Sequence, residues 1–323
     1  MATGAALAVG PRVMGANEEI RLAVIGCGVR GGTHIAEFGK LPGVRIVAVC
    51  DPDRVRLAAA AKTVATKFNY QPEEVVDVRQ LMERKDLDAV SVATMQYWHS
   101  LPTIWACQTG RHVYVEKPLA HSIWEGRQMV RAARKYDRLV QVGTQNRSVK
   151  GYAAMASWLK EGHLGKIQYV TCFANKPRHS VGKRAEPLPI PDTLDYELWC
   201  GPARKEPIYR DKLQYDCSFT WNMGDGESCN QGVHEIDIAR WMLGYTGLPR
   251  RTMSIGGRFV FNDAGEVPNT QIMQDIEVVP NTSTLGPWLQ CDAARECIQD
   301  NAKANELVRG NYRQPFTVPE ISL

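Results

Sequence analysis

Ile20-Arg-Leu-Ala-Val-Ile-Gly26-Cys-Gly28-Val-Arg-Gly31 joins a short apolar run to three spaced glycines. A short apolar run, as a buried strand requires, gives way to glycines in the order G-x-G-x-x-G. At that spacing the first glycine makes a tight turn, the second lets the backbone approach a pyrophosphate, and the third packs a helix closely on the strand. On its own the pattern is common. Here it follows a strand and opens a helix-like stretch reaching Lys40, after which Val44 to Cys50 reads as a second strand. Asp51 then stands 20 residues beyond Gly31, where a carboxylate can accept from an adenosine ribose 2′-hydroxyl. The unit therefore reads as a dinucleotide site with Gly26, Gly28, Val29, Arg30, Gly31 and Asp51 against the cofactor. NAD is expected before NADP, because a carboxylate would repel a 2′-phosphate; Arg54 keeps NADP as the lesser alternative.

Working outward, strands and helices alternate. Arg54 to Phe68 is helix-prone, Asp88 to Ala93 a strand, Ser100 to Gln108 a helix closed by Gly110, and His112 to Glu116 another strand. Trp124 to Tyr136 is a further helix and Arg138 to Val142 a further short apolar run. Strands apolar on both faces and separated by helices predict a doubly wound parallel sheet, a Rossmann domain over residues 19–144. The character changes after Gly143. Tyr152 to Glu161 is helical and Ile167 to Ala174 alternates, so residues 145–323 are expected to form a second α/β domain for substrate binding and oligomerisation. Residues 176–210 carry six prolines and read as a functional loop excursion. Past Gln274 the periodicity fades, and one helix, about Gln290 to Val308, is expected.

The 323 residues suit two domains with ample core, and no apolar run reaches the roughly 18 to 20 residues of a membrane-spanning helix. The 39 Lys and Arg against 35 Asp and Glu are scattered, which argues against a nucleic-acid partner. Nine cysteines (27, 50, 107, 172, 200, 217, 229, 291, 297) show no C-x-x-C pair and no Cys/His cluster at metal spacing. No metal site is expected, and the thiols read as small core residues. Residues 1–18 are set apart as flexible or signal-like: Ala2 to Val9 is a small apolar run without a charged segment before it. The expected compartment is the cytoplasm, or the periplasm if residues 1–16 are the remnant of an export signal.

Ligands of open α/β sheets bind beyond the carboxyl ends of the strands, which is where Thr94 and Glu116-Lys117-Pro118 fall. A lysine partly desolvated there would have its pKa lowered and could relay the proton of a hydroxyl, with Glu116 opposing the shift. The second candidate runs from Gly226 to Trp241. A helix is expected from His234 onward, with Asp237 one turn away on the same face as a substrate contact, and Asn230 in the turn before it. A histidine there can serve as base and an amide can orient a hydroxyl.

Gly26 to Gly31, Asp51, DAVSVATMQYWH (88–99), VEKP (115–118) and GVHEIDIARW (232–241), in that order and spacing, resemble the Gfo/Idh/MocA family of NAD(P)-dependent oxidoreductases. The resemblance covers about residues 19–274. LWCGP (198–202) and the run before His234 are similar to a bacterial subgroup. It implies a Rossmann domain followed by an α+β domain with an open, mostly antiparallel sheet that covers the site and commonly supports homodimers or homotetramers. It also implies catalytic Lys117 and His234 with Asn230 orienting the substrate, cofactor contacts at Thr94, His99, Glu116 and Lys117, and substrate contacts at Lys176 and Arg178.

The implied reaction is hydride transfer between NAD(P) and a secondary alcohol of a sugar, cyclitol or polyol. One alternative is glycoside cleavage by transient oxidation and elimination with NAD retained; another is a non-catalytic nucleotide-binding remnant. Asn230 stands where the family often has Asp, and it cannot share a proton, so proton transfer is expected to fall on His234 and Lys117. Met95 stands where a proline is usual, and family members usually carry more strands after a position like Gln274, so an abbreviated second domain is expected.

Overall fold

The structure is a computed structural model, and it describes residues 19–165, 167, 170–176, 178–247, 251–276, 289–292 and 294–322. The signal-like residues 1–18 lie outside them. The first half alternates strand and helix: β1 (Ile20–Ile25), α1 (Val29–Phe38), β2 (Val44–Cys50), α2 (Arg54–Phe68), β3 (Glu73–Val75), α3 (Val78–Glu83), β4 (Ala89–Val92), α4 (Ser100–Gln108), β5 (His112–Glu116), α5 (Ile123–Lys135) and β6 (Val140–Gly143). All six strands are parallel, in the order β3-β2-β1-β4-β5-β6. The order reverses between β1 and β4, which opens a crevice at their carboxyl ends.

Both faces of this sheet are covered. Val24, Ile46 and Val49 pack with Ile35, Leu57 and Val64 on one side, while Ala23, Val90, Val92 and Val115 pack with Leu101, Ile104 and Met129 on the other. Each such side chain contributes about 1.5–3 kcal/mol. Helix starts are fixed locally: Asp53 caps α2 through the Val55 N–H, and at α5 Ser122 Oγ accepts from the Glu125 N–H while Glu125 Oε2 accepts from the N–H of His121, the residue before the cap. The sequence reading passed over β3, three residues whose two glutamates are exposed and leave only Val75 as an apolar signal.

The second half holds α6 (Lys150–Lys160), β7 (Val170–Ala174), α7 (Tyr196–Cys200), α8 (Gly226–Asn230), α9 (Gly232–Met242), β8 (Arg251–Gly257), β9 (Thr270–Ile276), β10 (Leu289–Asp292), β11 (Cys297–Ile298) and α10 (Ala302–Arg309). Its sheet is antiparallel throughout, in the order β11-β10-β8-β9-β7. Cys172, Ala174 and Met273 on one face pack against Ile236 and Ala239 of α9.

The helix expected over about Gln290 to Val308 is corrected to two short strands and a shorter helix. Asp292 Oδ1 accepts from the Ala294 and Arg295 N–H groups, which turns the chain, and Asn301 caps α10 only at Ala302. Likewise α9 starts at Gly232, two residues before His234, and Asn230 closes α8. The proline-rich excursion is fastened to the first half: Arg54 N–H donates to Thr193 O, Asp195 N–H to Pro52 O, and Leu194, Trp199 and Ile208 join the core beneath α4. Among the described residues no helix is long and apolar enough to cross a membrane.

Candidate active site

Turns leaving β1, β4 and β5 meet at the carboxyl end of the parallel sheet. Facing them are the α8–α9 junction and the loop that carries Lys176, Arg178, Trp199, Gln214 and Tyr215; together they enclose a cleft of about 650 Å³.

At the β1 end, Gly26 has φ +89°, and a Cβ there would stand 2.7 Å from Ala93 C and Thr94 N. A Cβ on Gly31 would stand 1.8 Å from Gly26 O. Any side chain at either position must push strand and helix apart. No side chain caps α1 at Gly28, and its first residues, Val29 and Arg30, line the cleft. Uncapped first-turn N–H groups suit a pyrophosphate. Thr94 Oγ1, also in this wall, is buried with no hydrogen-bond partner among the described residues. Backbone too close for side chains, free helix N–H groups and an orphaned hydroxyl all fit a dinucleotide.

Asp51 lines the same end. Its Oδ2 accepts from Cys27 N–H at 2.7 Å and its Oδ1 from Asp53 N–H at 2.9 Å, so the carboxylate pins the glycine turn to β2 and each oxygen keeps a further lone pair for a hydroxyl. Burial pushes its pKa up.

Beneath the cleft Glu116 is a hub. Its Oε1 accepts from Gln145 Nε2 at 2.8 Å and meets His34 Nε2 at 3.2 Å, with Arg30 Nε 3.6 Å away. Burial raises the carboxyl pKa, but the His34 bond and the Arg30 charge outweigh it and hold Glu116 below its usual value. His99 lines the cleft and is only 1 % exposed, with Nδ1 2.7 Å from Pro118 O and Nε2 3.0 Å from Thr94 O; burial lowers its pKa, and the neutral ring donates to only one of these two carbonyls.

Lys117 leaves β5 through a cis peptide to Pro118 and donates from Nζ to Asn230 O at 2.8 Å and Asn230 Oδ1 at 3.3 Å. Burial lowers its pKa, Arg30 and Lys176 add to this, and Glu116 opposes it. His234 lines the cleft from the first turn of α9, and its buried Nδ1 has no partner among the described residues. Burial lowers its pKa too, assisted by the Lys117 charge. Lys117, Asn230 and His234, remote in sequence, thus share one wall.

The three expected substrate contacts separate. Lys176 and Arg178 line the cleft. Asp237 does not: Arg147 reaches it from before α6 and engages both carboxylate oxygens at 2.8–3.0 Å, which occupies the side chain away from the cleft. Arg178 is itself held by Glu227, a fully buried carboxylate that accepts from Nε at 2.6 Å, and its Nη1 donates to the Tyr215 hydroxyl at 2.9 Å. Asn230 Nδ2 reaches the same hydroxyl at 3.4 Å. Tyr215 belongs to no motif in the sequence, and Glu227 stands within the Gly226 to Trp241 stretch without a role of its own; the backbone of Tyr215 at φ +67°, a costly value for such a side chain, is visible only in three dimensions. Among the described residues no group of three His, Cys, Asp or Glu is placed to hold a metal.

Comparison with known proteins agrees with this geometry. The profile of the oxidoreductase family with NAD-binding Rossmann fold, Gfo/Idh/MocA, matches residues 20–144, and that of its C-terminal alpha/beta domain matches residues 154–256. An inositol 2-dehydrogenase/D-chiro-inositol 3-dehydrogenase of Halalkalibacterium halodurans is 32 % identical over 182 residues, 55 % of this chain and 51 % of that protein. A glycosyl hydrolase family 109 protein of Shewanella pealeana is 35 % identical over 136 residues, 40 % of this chain and 30 % of that protein. The chain therefore spans about half or less of these relatives' length. The crystal structure of GenD2 from gentamicin A biosynthesis, in complex with NAD, shares the fold with a TM-score of 0.60 at 21 % identity, over 83 % of this chain and 65 % of that one. By its glycine cleft, its six-stranded nucleotide sheet and these matches over both halves, the chain belongs to the Gfo/Idh/MocA family of NAD-binding oxidoreductases.

Proposed function

We propose that the chain is a dehydrogenase moving a hydride between NAD and a secondary-alcohol carbon of a sugar, cyclitol or related polyol. The observation that carries this reading is the shared wall of Lys117, Asn230 and His234 in the same cleft as the Gly26 turn. NAD bound there supplies the hydride acceptor. The protein's part is to hold the alcohol and take its proton. His234 takes the hydroxyl proton and Lys117 shares the load, since burial lowers the pKa of both and so favours their neutral, proton-accepting forms. Asn230, already anchored by Lys117, orients the hydroxyl without exchanging a proton.

Lys117→Ala and His234→Ala are expected to lower kcat on an inositol and hexose panel by about 10²–10⁴-fold, the usual worth of a general base, while NAD still raises the unfolding temperature as it does for wild type. Normal turnover in both variants sinks the assignment.

A second reading is favoured by the likeness to the family 109 protein: the same residues release sugar from a glycoside with no net NADH. Solvent deuterium in the product supports it, and absence of deuterium removes it. The proposal includes a second copy of the chain. Phe173, Ile272 and Ile255 form one cross-strand row on the sheet face turned from α9 and are 56 %, 37 % and 38 % exposed. Sedimentation of wild type against Phe173→Ser tests it, with a shift toward monomer expected.

A further inference from the structure

The proline-rich excursion crosses one end of the cleft and is fastened to both of its banks. Next to β2, Leu194 bridges to Asp53, the Arg54 N–H donates to Thr193 O at 2.9 Å and the Asp195 N–H to Pro52 O at 3.0 Å. From the turn after β4, the Tyr97 hydroxyl donates to Trp199 O at 2.8 Å and Trp98 Nε1 to Leu198 O at 3.0 Å. Pro52, Tyr97, Trp98, Leu198 and Trp199 line the cleft together with Asp51. Leu194 and Trp199 are buried and pack in the core, so the crossing is not laid loosely over the surface. Just beyond it, Gln214 Nε2 reaches Asp53 Oδ2 at 3.2 Å, and the Asp53 N–H holds Asp51 Oδ1.

The excursion belongs to the second half in sequence, yet these bonds all run to the first half, across as many as 161 residues. They add nothing to the packing of the antiparallel sheet on α9. What they close is the side of the cleft where Asp51 and the glycine turn stand. At the opposite end Lys117 reaches Asn230 across the same two halves. A ligand seated between is therefore crossed by second-half chain at both ends, and a segment bonded on both banks swings aside only when several bonds break together.

We infer that the excursion is a retaining wall of the nucleotide site: NAD enters and leaves only when the bridge at residues 193–195 opens, and that opening sets the rate of cofactor exchange. The inference rests on the NAD site alone and stands under either reading of the reaction. A wall and an ordinary binding contact differ in kinetics. Loss of a contact raises the dissociation rate and weakens binding by the same factor, whereas opening a wall raises the association and dissociation rates together and leaves Kd nearly unchanged.

Arg54→Pro is the test. Residue 54 is the first of α2, where proline suits a helix, and Asp53 before it is already extended at φ −93° and ψ 107°. The substitution deletes the N–H that holds Thr193 O and puts a ring carbon in its place. Arg54→Ala keeps that N–H and removes only an exposed side chain. Tyr97→Phe loosens the other bank, with Trp199 O still bonded to Trp98 Nε1 at 3.2 Å. Stopped-flow fluorescence follows NADH binding to the full chain and its displacement by excess NAD. Arg54→Pro is expected to raise both rates about tenfold with Kd within about threefold of wild type, and Tyr97→Phe to raise both by a smaller factor. Arg54→Ala should match wild type. Unchanged rates in Arg54→Pro, faster dissociation matched by an equal loss of affinity, or equal acceleration in Arg54→Ala overturns the inference. If circular dichroism shows Arg54→Pro unfolded, Tyr97→Phe decides: both rates raised at constant Kd sustains the wall, and any other result removes it.

Discussion

The two sheets solve opposite problems. The parallel sheet is enclosed on both faces, and its strand ends hold the glycine turn, Thr94 and Lys117 through backbone geometry packed so closely that Gly31 has no room for a methyl group. Among the described residues the antiparallel sheet is packed on its α9 face, and it contributes to the site indirectly, by supporting the helices and loop that carry His234, Asn230 and the Arg178–Glu227 pair. The first half of the cleft is therefore specified by where the main chain can go, and the second by which side chains bond to which. Substitutions should break the first half outright and retune the second.

The largest effect is expected from Gly31→Ala. Its Cβ overlaps Gly26 O, and relief requires moving α1 off β1, so unfolding should be easier by about 3 kcal/mol or more and the NAD-induced rise in unfolding temperature should vanish. A Gly31→Ala protein that unfolds like wild type and still responds to NAD would refute the account of the turn. In the second sheet, Met273→Ala removes a buried side chain packed on Cys172, Ala174 and α9, and urea unfolding should report a loss of roughly 2–5 kcal/mol. Arg178→Met strands the buried Glu227 charge and should cost about 3–5 kcal/mol of stability in urea unfolding, besides raising KM for the substrate.

Two carboxylates sharpen the contrast through pH. Glu125, buried in the first half, has its pKa raised by burial from 4.5 to about 7. The folded chain thus holds a proton that the unfolded chain releases, and stability falls as pH rises from about 4.5 through 7, on the order of 3 kcal/mol at roughly 1.4 kcal/mol per unit. Glu125→Gln should flatten that slope in urea titrations between pH 5 and about 8. Asp263, in the second half, has the opposite sign: burial opposes ionisation, but Arg258 and the Val181 and Gly265 N–H groups outweigh it and hold the carboxyl well below its usual range. Its contribution is present above about pH 4 and lost as pH falls below it, and Asp263→Asn should remove that acid sensitivity. The smallest effect is expected for Ile255→Ser on the open sheet face: within about 0.5 kcal/mol in monomer stability, with any larger change appearing in the association state.

The part of the site that could be read in advance is the part written in local order. Gly26 to Gly31 and Asp51 carry their own meaning because one βαβ unit brings them together within a few dozen residues. Lys117 and His234 were legible as candidates, each within a short motif, but nothing local places one beside the other; Asn230 joins them across 113 residues. His99, expected at the cofactor, lines the cleft with its ring nitrogens facing the Thr94 and Pro118 carbonyls, contacts that no spacing argument reveals because their acceptors are backbone atoms. Asp237 had the right helical phase to join His234, yet Arg147 competes for it from another element. The stretch from about Gln290 to Val308 read as helix by composition, and pairing of β10 with β8 and with β11 overrode that preference in its first part.

The sequence by itself determined the parallel sheet, the glycine turn and the kind of cofactor, because apolar periodicity and glycine spacing act over short range and admit few geometries. Only the tertiary structure decided which charges are matched and which are not. Glu227 neutralises Arg178, Arg147 withdraws Asp237, and Lys176 has no acidic partner among the described residues. Ion pairing depends on distances of a few ångströms between residues far apart in the chain, and those distances exist only once both halves have folded against each other.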